Sequence, residues 1–323
     1  MAWPRSHPNV LAGPYLDRAA HLRKDEALLQ ALIADPATLI VPIWQSRNCV
    51  VSEAASMRAQ LLVGIGQLGA IDLLSLAGSI ILLGNFRGQS ALAVELRSEQ
   101  PPLLPAGGSF RELRTIAGEL PADEAGLLAY ARAMVLWRER HRFCGRCGAP
   151  TLASHSGHVL ICSDAGCRNQ QFPRIDPAVI VLISDGEHAL LGRQALWPNG
   201  RYSTIAGFVE PGESLEDAVV REVHEETGVS VDQVEYHSSQ PWPFPSSLML
   251  GFMARATSQV IRLNDAELED ARWLSRAQIA AGEVTLSPQH SISFRLIEDW
   301  YDAGAERPLR QEPGARMWSS PSR

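Results

Sequence analysis

The chain has 323 residues, room for about two domains, and its 46% hydrophobic and 20% charged composition is that of a soluble globular protein able to bury a core. Its formal charge of −7 argues against broad electrostatic binding to nucleic acid, though not against recognition of one end of an RNA. No apolar run approaches the roughly 18 residues needed to span a bilayer. The N-terminus, with Arg5, His7, Asp17 and Arg18, has no signal-peptide apolar region, so a cytoplasmic protein without membrane attachment is expected.

Residues 1–140 read as a mixed α/β domain. Strand-like runs at Thr38 to Ile43, Ile80 to Leu83 and Ala91 to Leu96 are separated by turns such as Gly84-Asn85-Phe86-Arg87-Gly88. Cys49 lies in another such run and reads as a buried thiol. A helix over about 124–140 leads into residues 141–173, where four of the five cysteines gather: Cys144 and Cys147, then Cys162 and Cys167. Two disulfides are the competing reading. The tight turn Cys144-Gly145-Arg146-Cys147-Gly148 and the lack of a secretory signal favour a tetrahedral four-thiolate Zn²⁺ site, closed and therefore structural.

A third segment, 174–305, opens on the β-branched run Pro177 to Ile183, a buried strand. The remaining residues, 306–323, are rich in Pro, Ser and Arg and read as a mobile tail.

The chemistry concentrates between Gly207 and Val229. Ser214 followed by Asp217 is a capping-box pattern and Gly228 a left-handed stop, which predicts a helix over about 215–227. Leu215, Ala218, Val219 and Val223 form its apolar stripe, while Glu222, Glu225 and Glu226 share a face at i, i+3 and i+4. A solvated acidic face is the bland alternative. Like charges at that spacing repel, and hard divalent cations such as Mg²⁺ or Mn²⁺ make the arrangement favourable. Further on, Ser239-Gln240-Pro241-Trp242-Pro243-Phe244-Pro245-Ser246-Ser247 alternates prolines with aromatic rings. It is either a rigid turn burying Trp242 and Phe244, or a pre-organised reader in which flat rings stack on bases while Gln240, Ser246 and Ser247 offer hydrogen bonds.

Gly207, Glu213 and the run Arg221-Glu222-Val223-His224-Glu225-Glu226-Thr227-Gly228-Val229 match the Nudix box at every specified position. With a four-cysteine ribbon before the box and the SQPWPFPSS motif after it, the chain resembles the NADH pyrophosphatases, also described as NAD-capped RNA hydrolases. The resemblance is close over about 110–300 and weaker in the N-terminal domain. It implies a Nudix α/β/α sandwich preceded by a zinc ribbon and an N-terminal mixed α/β, Nudix-like domain, working as a homodimer. It further implies metal-dependent hydrolysis of the NAD(H) pyrophosphate to NMN(H) and AMP, and removal of NAD caps from RNA 5′ ends. Metal ligation is implied for Glu222, Glu226, the carbonyl of Ala206 and Glu267, with Glu269 as the fallback, and proton transfer for Glu225 or Glu226 with Arg221 orienting a glutamate. Phe208, Phe172, Arg114 and the aromatic array from Gln240 to Ser247 would hold the dinucleotide. Ser293, where the family more often has alanine, would contribute through its backbone. A Nudix hydrolase for ADP-ribose or dinucleoside polyphosphates and a non-catalytic nucleotide sensor stand as alternatives.

Overall fold

A computed structural model describes residues 8–53, 56–64, 73–104, 107–263 and 267–318. The chain divides into two compact units: Val10–Ile175 together with Trp242–Ser246, and Asp176–Pro241 with Ser247 onward and Asn9.

The first unit opens with β1 (Leu16–Asp17), α1 (Glu26–Ala34), β2 (Leu39–Trp44), β3 (Arg47–Glu53), β4 (Ser56–Ala59) and β5 (Leu62–Val63). It continues through α2 (Leu73–Leu76), β6 (Ala77–Phe86), β7 (Gln89–Leu96), β8 (Ser109–Arg111), α3 (Leu113–Ile116) and α4 (Ala122–Arg140). The strands form a sheet of order β1-β6-β7-β2-β3-β4, with β5 joining β2, β8 joining β3, and β2 running parallel to β7. Alternation along the strands sorts the side chains onto two buried faces. Val41, Ile43, Ile81, Leu83, Ala91 and Ala93 pack with Ala125, Leu128, Ala131 and Val135 of α4, while Ile40, Leu82, Leu92 and Val94 pack with Leu73 of α2 and half-buried residues of α1. Cys49 is buried as expected, and burial pushes its thiol up to about 12.

The same unit carries a small sheet of β9 (Thr151–Ser154), β10 (Val159–Cys162) and β11 (Gln170–Gln171), in the order β11-β10-β9. Gly148 N donates to Cys144 O (2.8 Å) and Cys144 N to Ala149 O (2.8 Å), closing the first cysteine turn. The longer second turn is closed by a side chain, Asp164, whose Oδ1 accepts from Gly166 N (2.8 Å) and Cys167 N (2.9 Å). That explains how four intervening residues still return Cys167 to the cluster.

The second unit comprises β12 (Asp176–Ser184), β13 (His188–Arg193), β14 (Ile205–Phe208), α5 (Leu215–Thr227), β15 (Val231–Trp242) and β16 (Ser247–Ala256). After these come β17 (Asp270–Ser275), α6 (Arg276–Ala280), β18 (Thr285–Leu286), α7 (Ile292–Asp302) and β19 (Arg316–Met317). Its sheet has the order β15-β16-β12-β13-β17, with β14 antiparallel to β12 and β12 parallel to β16. Strand β12 is apolar and buried from Ala178 to Ile183 because both its faces are covered. Val179, Val181 and Ile183 meet Ala218, Val219 and Val223 of α5, and Ile180 and Leu182 meet Ile292, Leu296 and Trp300 of α7. This is an α/β/α sandwich.

The segment read as a mobile tail is packed through Trp318. Leu309 is fully buried, Arg310 Nε donates to Glu298 Oε1 (2.5 Å) while its guanidinium lies 4.9 Å from the Phe294 ring centre, and β19 pairs with β18. The polar composition hid three anchors, Leu309, Arg310 and Met317. Residues 319–323 of that expectation lie outside the described residues.

Candidate functional site

Helix α5 has the bounds its local signals predict. Ser214 Oγ accepts from Asp217 N (3.1 Å), Asp217 Oδ2 accepts from Ser214 N (3.3 Å), and Gly228 ends the helix at φ 68°. With the apolar stripe pinned to the sheet, Glu222 and Glu226 are buried one turn apart, while Glu225 and His224 are exposed.

Strand β14 supplies the other side of the site. Ala206 pairs with Ile180 and Gly207 with Val179, and the Glu222 carboxylate lies directly over Gly207. A methyl group built on Gly207 would fall inside 3.0 Å of Cδ and both carboxylate oxygens of Glu222. Glycine at this position is therefore a cradle for the carboxylate rather than a conformational requirement.

Arg221 ties the acidic cluster together. Its Nε donates to Glu213 Oε1 (2.5 Å), its Nη1 to Glu225 Oε2 (2.9 Å), and its Nη2 to Glu213 Oε2 (2.9 Å) and Phe208 O (2.9 Å). Arg221 Nη1 also lies 2.9 Å from Glu222 Oε1. Hydrogen bonding to this guanidinium holds the Glu213 carboxyl down at about 2. Glu222 goes the other way: burial raises it first, Arg221 opposes, and the charges of Glu225 and Glu267 add to the rise.

Of the two acidic candidates after the box, Glu267 accepts a hydrogen bond from Gln194 Nε2 (3.3 Å) and is electrostatically coupled to Glu222. Glu269 forms an ion pair with Arg193, whose Nη2 also donates to Trp197 O (2.9 Å). The fallback residue is thus committed to a structural pair. Hard carboxylates crowded on one guanidinium, over a backbone cradle without a Cβ, fit an oxygen-seeking divalent cation. Among the described residues, the four thiols of Cys144, Cys147, Cys162 and Cys167 are the one group of metal-binding side chains whose ligand atoms all converge, within 4.8 Å of one another, and this donor set fits Zn²⁺.

The aromatic array divides. Trp242 and Phe244 meet edge to face at 5.1 Å and pack with the core under α4. Arg114 lies 5.6 Å from the Trp242 ring centre and Arg132 4.8 Å from that of Phe244, while Arg132 Nη1 also donates to Pro243 O. Trp242 and Phe244 remain half-buried, with Pro241, Ser246 and Ser247, whereas Pro243 is buried and Pro245 exposed. The exposed rings of Phe208 (59%) and Phe172 (63%) are open to stacking, each in its own unit.

One candidate contact is corrected. Gln240 is fully buried, with Nε2 donating to His290 O (2.8 Å) and Oε1 accepting from Ile292 N (2.8 Å). It joins β15 to the start of α7, and its amide is spent on backbone rather than on a ligand. Ser293 is buried as well, and its Oγ accepts from Thr204 N (3.2 Å) and lies 2.8 Å from Ser203 Oγ. Its hydroxyl locks α7 to the segment entering β14. The amino-acid pattern assigned no role to Gly207, Glu213 or Gln194. The first two are fixed positions of the box, which is a signal; Gln194, 73 residues from its partner, has none.

Known proteins match in three blocks. The NUDIX domain profile covers residues 174–296, that of the NADH pyrophosphatase-like rudimentary NUDIX domain 17–137, and that of the NADH pyrophosphatase zinc ribbon domain 139–172. The NAD-capped RNA hydrolase NudC of Stutzerimonas stutzeri is 40% identical over 232 residues, covering 72% of this chain and 81% of that one. The NAD-capped RNA hydrolase of Schizosaccharomyces pombe is 46% identical over 228 residues, 60% of this chain and 61% of that one. The NAD-capped RNA hydrolase NUDT12 of Homo sapiens is 42% identical over 197 residues, 56% of this chain and 43% of that one. The chain therefore spans only about half of the length of these two eukaryotic relatives. The sandwich with its glutamate helix and Gly207 cradle is a Nudix domain. With the ribbon and the rudimentary domain before it, the chain belongs to the NADH pyrophosphatase family, among whose members are relatives named NAD-capped RNA hydrolases.

Proposed function

We propose that the protein hydrolyses the pyrophosphate bond of NAD(H), taking up one water and giving NMN(H) and AMP, and that it removes NAD caps from RNA 5′ ends. The observation that carries this reading is the seating of the Glu222 carboxylate on Gly207 beside Glu226 and the Arg221 clamp, in a chain whose relatives bear the name NAD-capped RNA hydrolase.

A pyrophosphate resists water because its oxygens are already negative. Mg²⁺ or Mn²⁺, when bound, supplies charge neutralisation and acidifies a water. Glu222, Glu226 and Glu267, with the Ala206 carbonyl, would hold the ion. Arg221 fixes Glu222 and Glu225 in place and ties the helix to the Phe208 carbonyl at the end of β14. One Glu225 oxygen is taken up by Arg221, so we assign the buried Glu226 to accept the proton from the attacking water oxygen. The exposed ring of Phe208 offers a stacking face to the dinucleotide, and Trp242 keeps the reader role that its motif implies. Zn²⁺ on the four thiolates is structural, and a cytoplasmic homodimer is the proposed working form, to be checked by sedimentation.

The test is product analysis with NADH, ADP-ribose and NAD-capped RNA in parallel, with either cation and with EDTA. Metal-dependent release of NMN(H) that falls at least roughly 10²-fold in Glu226→Gln supports the assignment. Turnover of ADP-ribose alone shifts the substrate to another nucleoside diphosphate, and no turnover of any of the three favours a nucleotide sensor.

A further inference from the structure

The chain's charge is unevenly distributed. Residues 138–174 contain six arginines against two acids, Glu139 and Asp164, a local charge of +4 in a chain of −7. Zinc on four thiolates withdraws two of these charges and still leaves the segment positive. Arg140, Arg142, Arg146, Arg168 and Arg174 are exposed. So are the apolar side chains of Phe143 (64%), Leu152 (62%) and Phe172 (63%).

Within the same unit, a cavity of about 350 Å³ opens where β6, β7, the end of α4 and β9 of the ribbon meet. Arg97, Arg138 and Arg142 line it, with the Phe143 ring at its wall. Two carboxylates line it as well. Glu95 is taken up internally, accepting from Ser79 Oγ (2.8 Å) and Arg97 Nε (3.2 Å), and Glu139 is exposed to solvent. Arg138 is half-buried, with Nη1 donating to Ile80 O (3.1 Å), and burial lowers its pKa, only partly offset by Glu95. Among the described residues, the one side-chain hydrogen bond of Arg142 runs from Nε to Glu139 O (3.2 Å), which leaves its terminal nitrogens available. The cavity crosses the border between the rudimentary NUDIX domain (17–137) and the ribbon (139–172). Neither module would form it alone.

Cations interleaved with exposed rings are what a single-stranded nucleic acid requires, phosphates on arginines and bases on aromatic faces. We propose that this ribbon-flank cleft, with Arg142 and Phe143 at its mouth, binds the phosphodiester chain of the RNA body. The inference rests on the capped-RNA reading above and deepens it: the cleft gives capped RNA an anchor that free NADH lacks. Binding through phosphates and stacked rings is sequence-tolerant and salt-sensitive.

The experiment compares full-length wild type, Arg142→Ala, Phe143→Ala and Arg142→Lys on NADH and on an NAD-capped RNA of about 20 nucleotides, with zinc content measured on each. The expected result is a loss of roughly tenfold in kcat/KM for capped RNA in both alanine variants, with NADH turnover within twofold and zinc retained. Arg142→Lys recovers most of the RNA activity, and Arg142→Ala lowers the salt slope of RNA binding by about 0.7 for each phosphate that the arginine neutralises. Equal losses on NADH and RNA, or no loss on RNA, overturn the cleft. Fluorescence anisotropy with uncapped RNA reads binding without any turnover, so a failure of the NAD(H) reading leaves this proposal separately measurable. Inorganic phosphate competing as well as RNA does would mean a single-anion site and would also overturn it.

Discussion

The Gly207 cradle makes a quantitative demand on a single methyl group. In Gly207→Ala the new Cβ falls within 3.0 Å of Cδ, Oε1 and Oε2 of Glu222, so the carboxylate must retreat by about 1 Å or more to restore ordinary contact. The backbone has no objection, since Gly207 lies in β14 outside the left-handed region and pairs with Val179. Alanine there even reduces unfolded-state entropy by up to about 1 kcal/mol, against an overpacking cost of about 1–3 kcal/mol if Glu222 resists. A catalytic group displaced by about 1 Å costs on the order of 10²-fold, or about 2.7 kcal/mol of transition-state stabilisation. The expectation is therefore a stability change of at most about 2 kcal/mol beside a drop in kcat/KM of about 10²-fold, with weaker half-saturation by Mn²⁺. Calorimetry and steady-state kinetics over a Mn²⁺ titration measure both. Activity within threefold of wild type, in a preparation where Glu226→Gln is inactive, would falsify the placement of Glu222 at the working centre.

Three further perturbations separate structural from chemical roles. Gln240→Ala leaves His290 O and Ile292 N without their buried partner and should cost about 1–3 kcal/mol for each in chemical denaturation, while KM for NADH stays within twofold; a large rise in KM at unchanged stability would restore Gln240 to the ligand. His158 is held down at about 4 by burial, with Nε2 2.7 Å from Leu82 O, so the fold prefers the neutral ring. Its contribution is whole above the ordinary value of 6.5 and is lost as pH falls toward 4. The pH dependence of melting over that window should flatten in His158→Gln and persist if another group is responsible. Zinc analysis should find one ion per chain, and its removal by a strong chelator should expose the amides of β9–β11 to hydrogen exchange. Retained protection would mean that packing of His158 and Leu160, both buried, holds the ribbon without metal.

What the sequence made legible was local. The bounds of α5 follow from Ser214, Asp217 and Gly228, each of which acts within one turn, and β12 announces itself as an unbroken apolar run. The thiol cluster follows from spacing. What stayed hidden depends on partners far along the chain. Gln240 sits in a motif of prolines and rings, where a polar side chain reads as a ligand contact, and only α7, 52 residues away, turns it inward. The tail reads as mobile because its composition is polar, yet Leu309 and Arg310 find Phe294 and Glu298 on that same helix. The acids after the box differ by two positions, and it takes the Arg193 pair to retire Glu269 and leave Glu267 beside Glu222.

The two units show how chemistry is added to a fold that does not require it. Each has a parallel strand pair, β2 with β7 and β12 with β16, and each buries both faces of its sheet. The difference lies in the charge balance of one helix. On α4 a single buried carboxylate, Glu124, receives Arg58 Nε (3.0 Å), Arg87 Nη2 (3.1 Å) and Ala59 N (2.7 Å), and Arg87 also serves Asp123, so that two guanidiniums meet two carboxylates. On α5 one guanidinium, Arg221, serves Glu213, Glu222 and Glu225, and Glu226 is buried on the same helix. The first arrangement is neutralised from within and stabilises the domain as it stands. The second carries an excess of negative charge that an added cation would balance, which is why the proposed chemistry is assigned to the C-terminal sandwich.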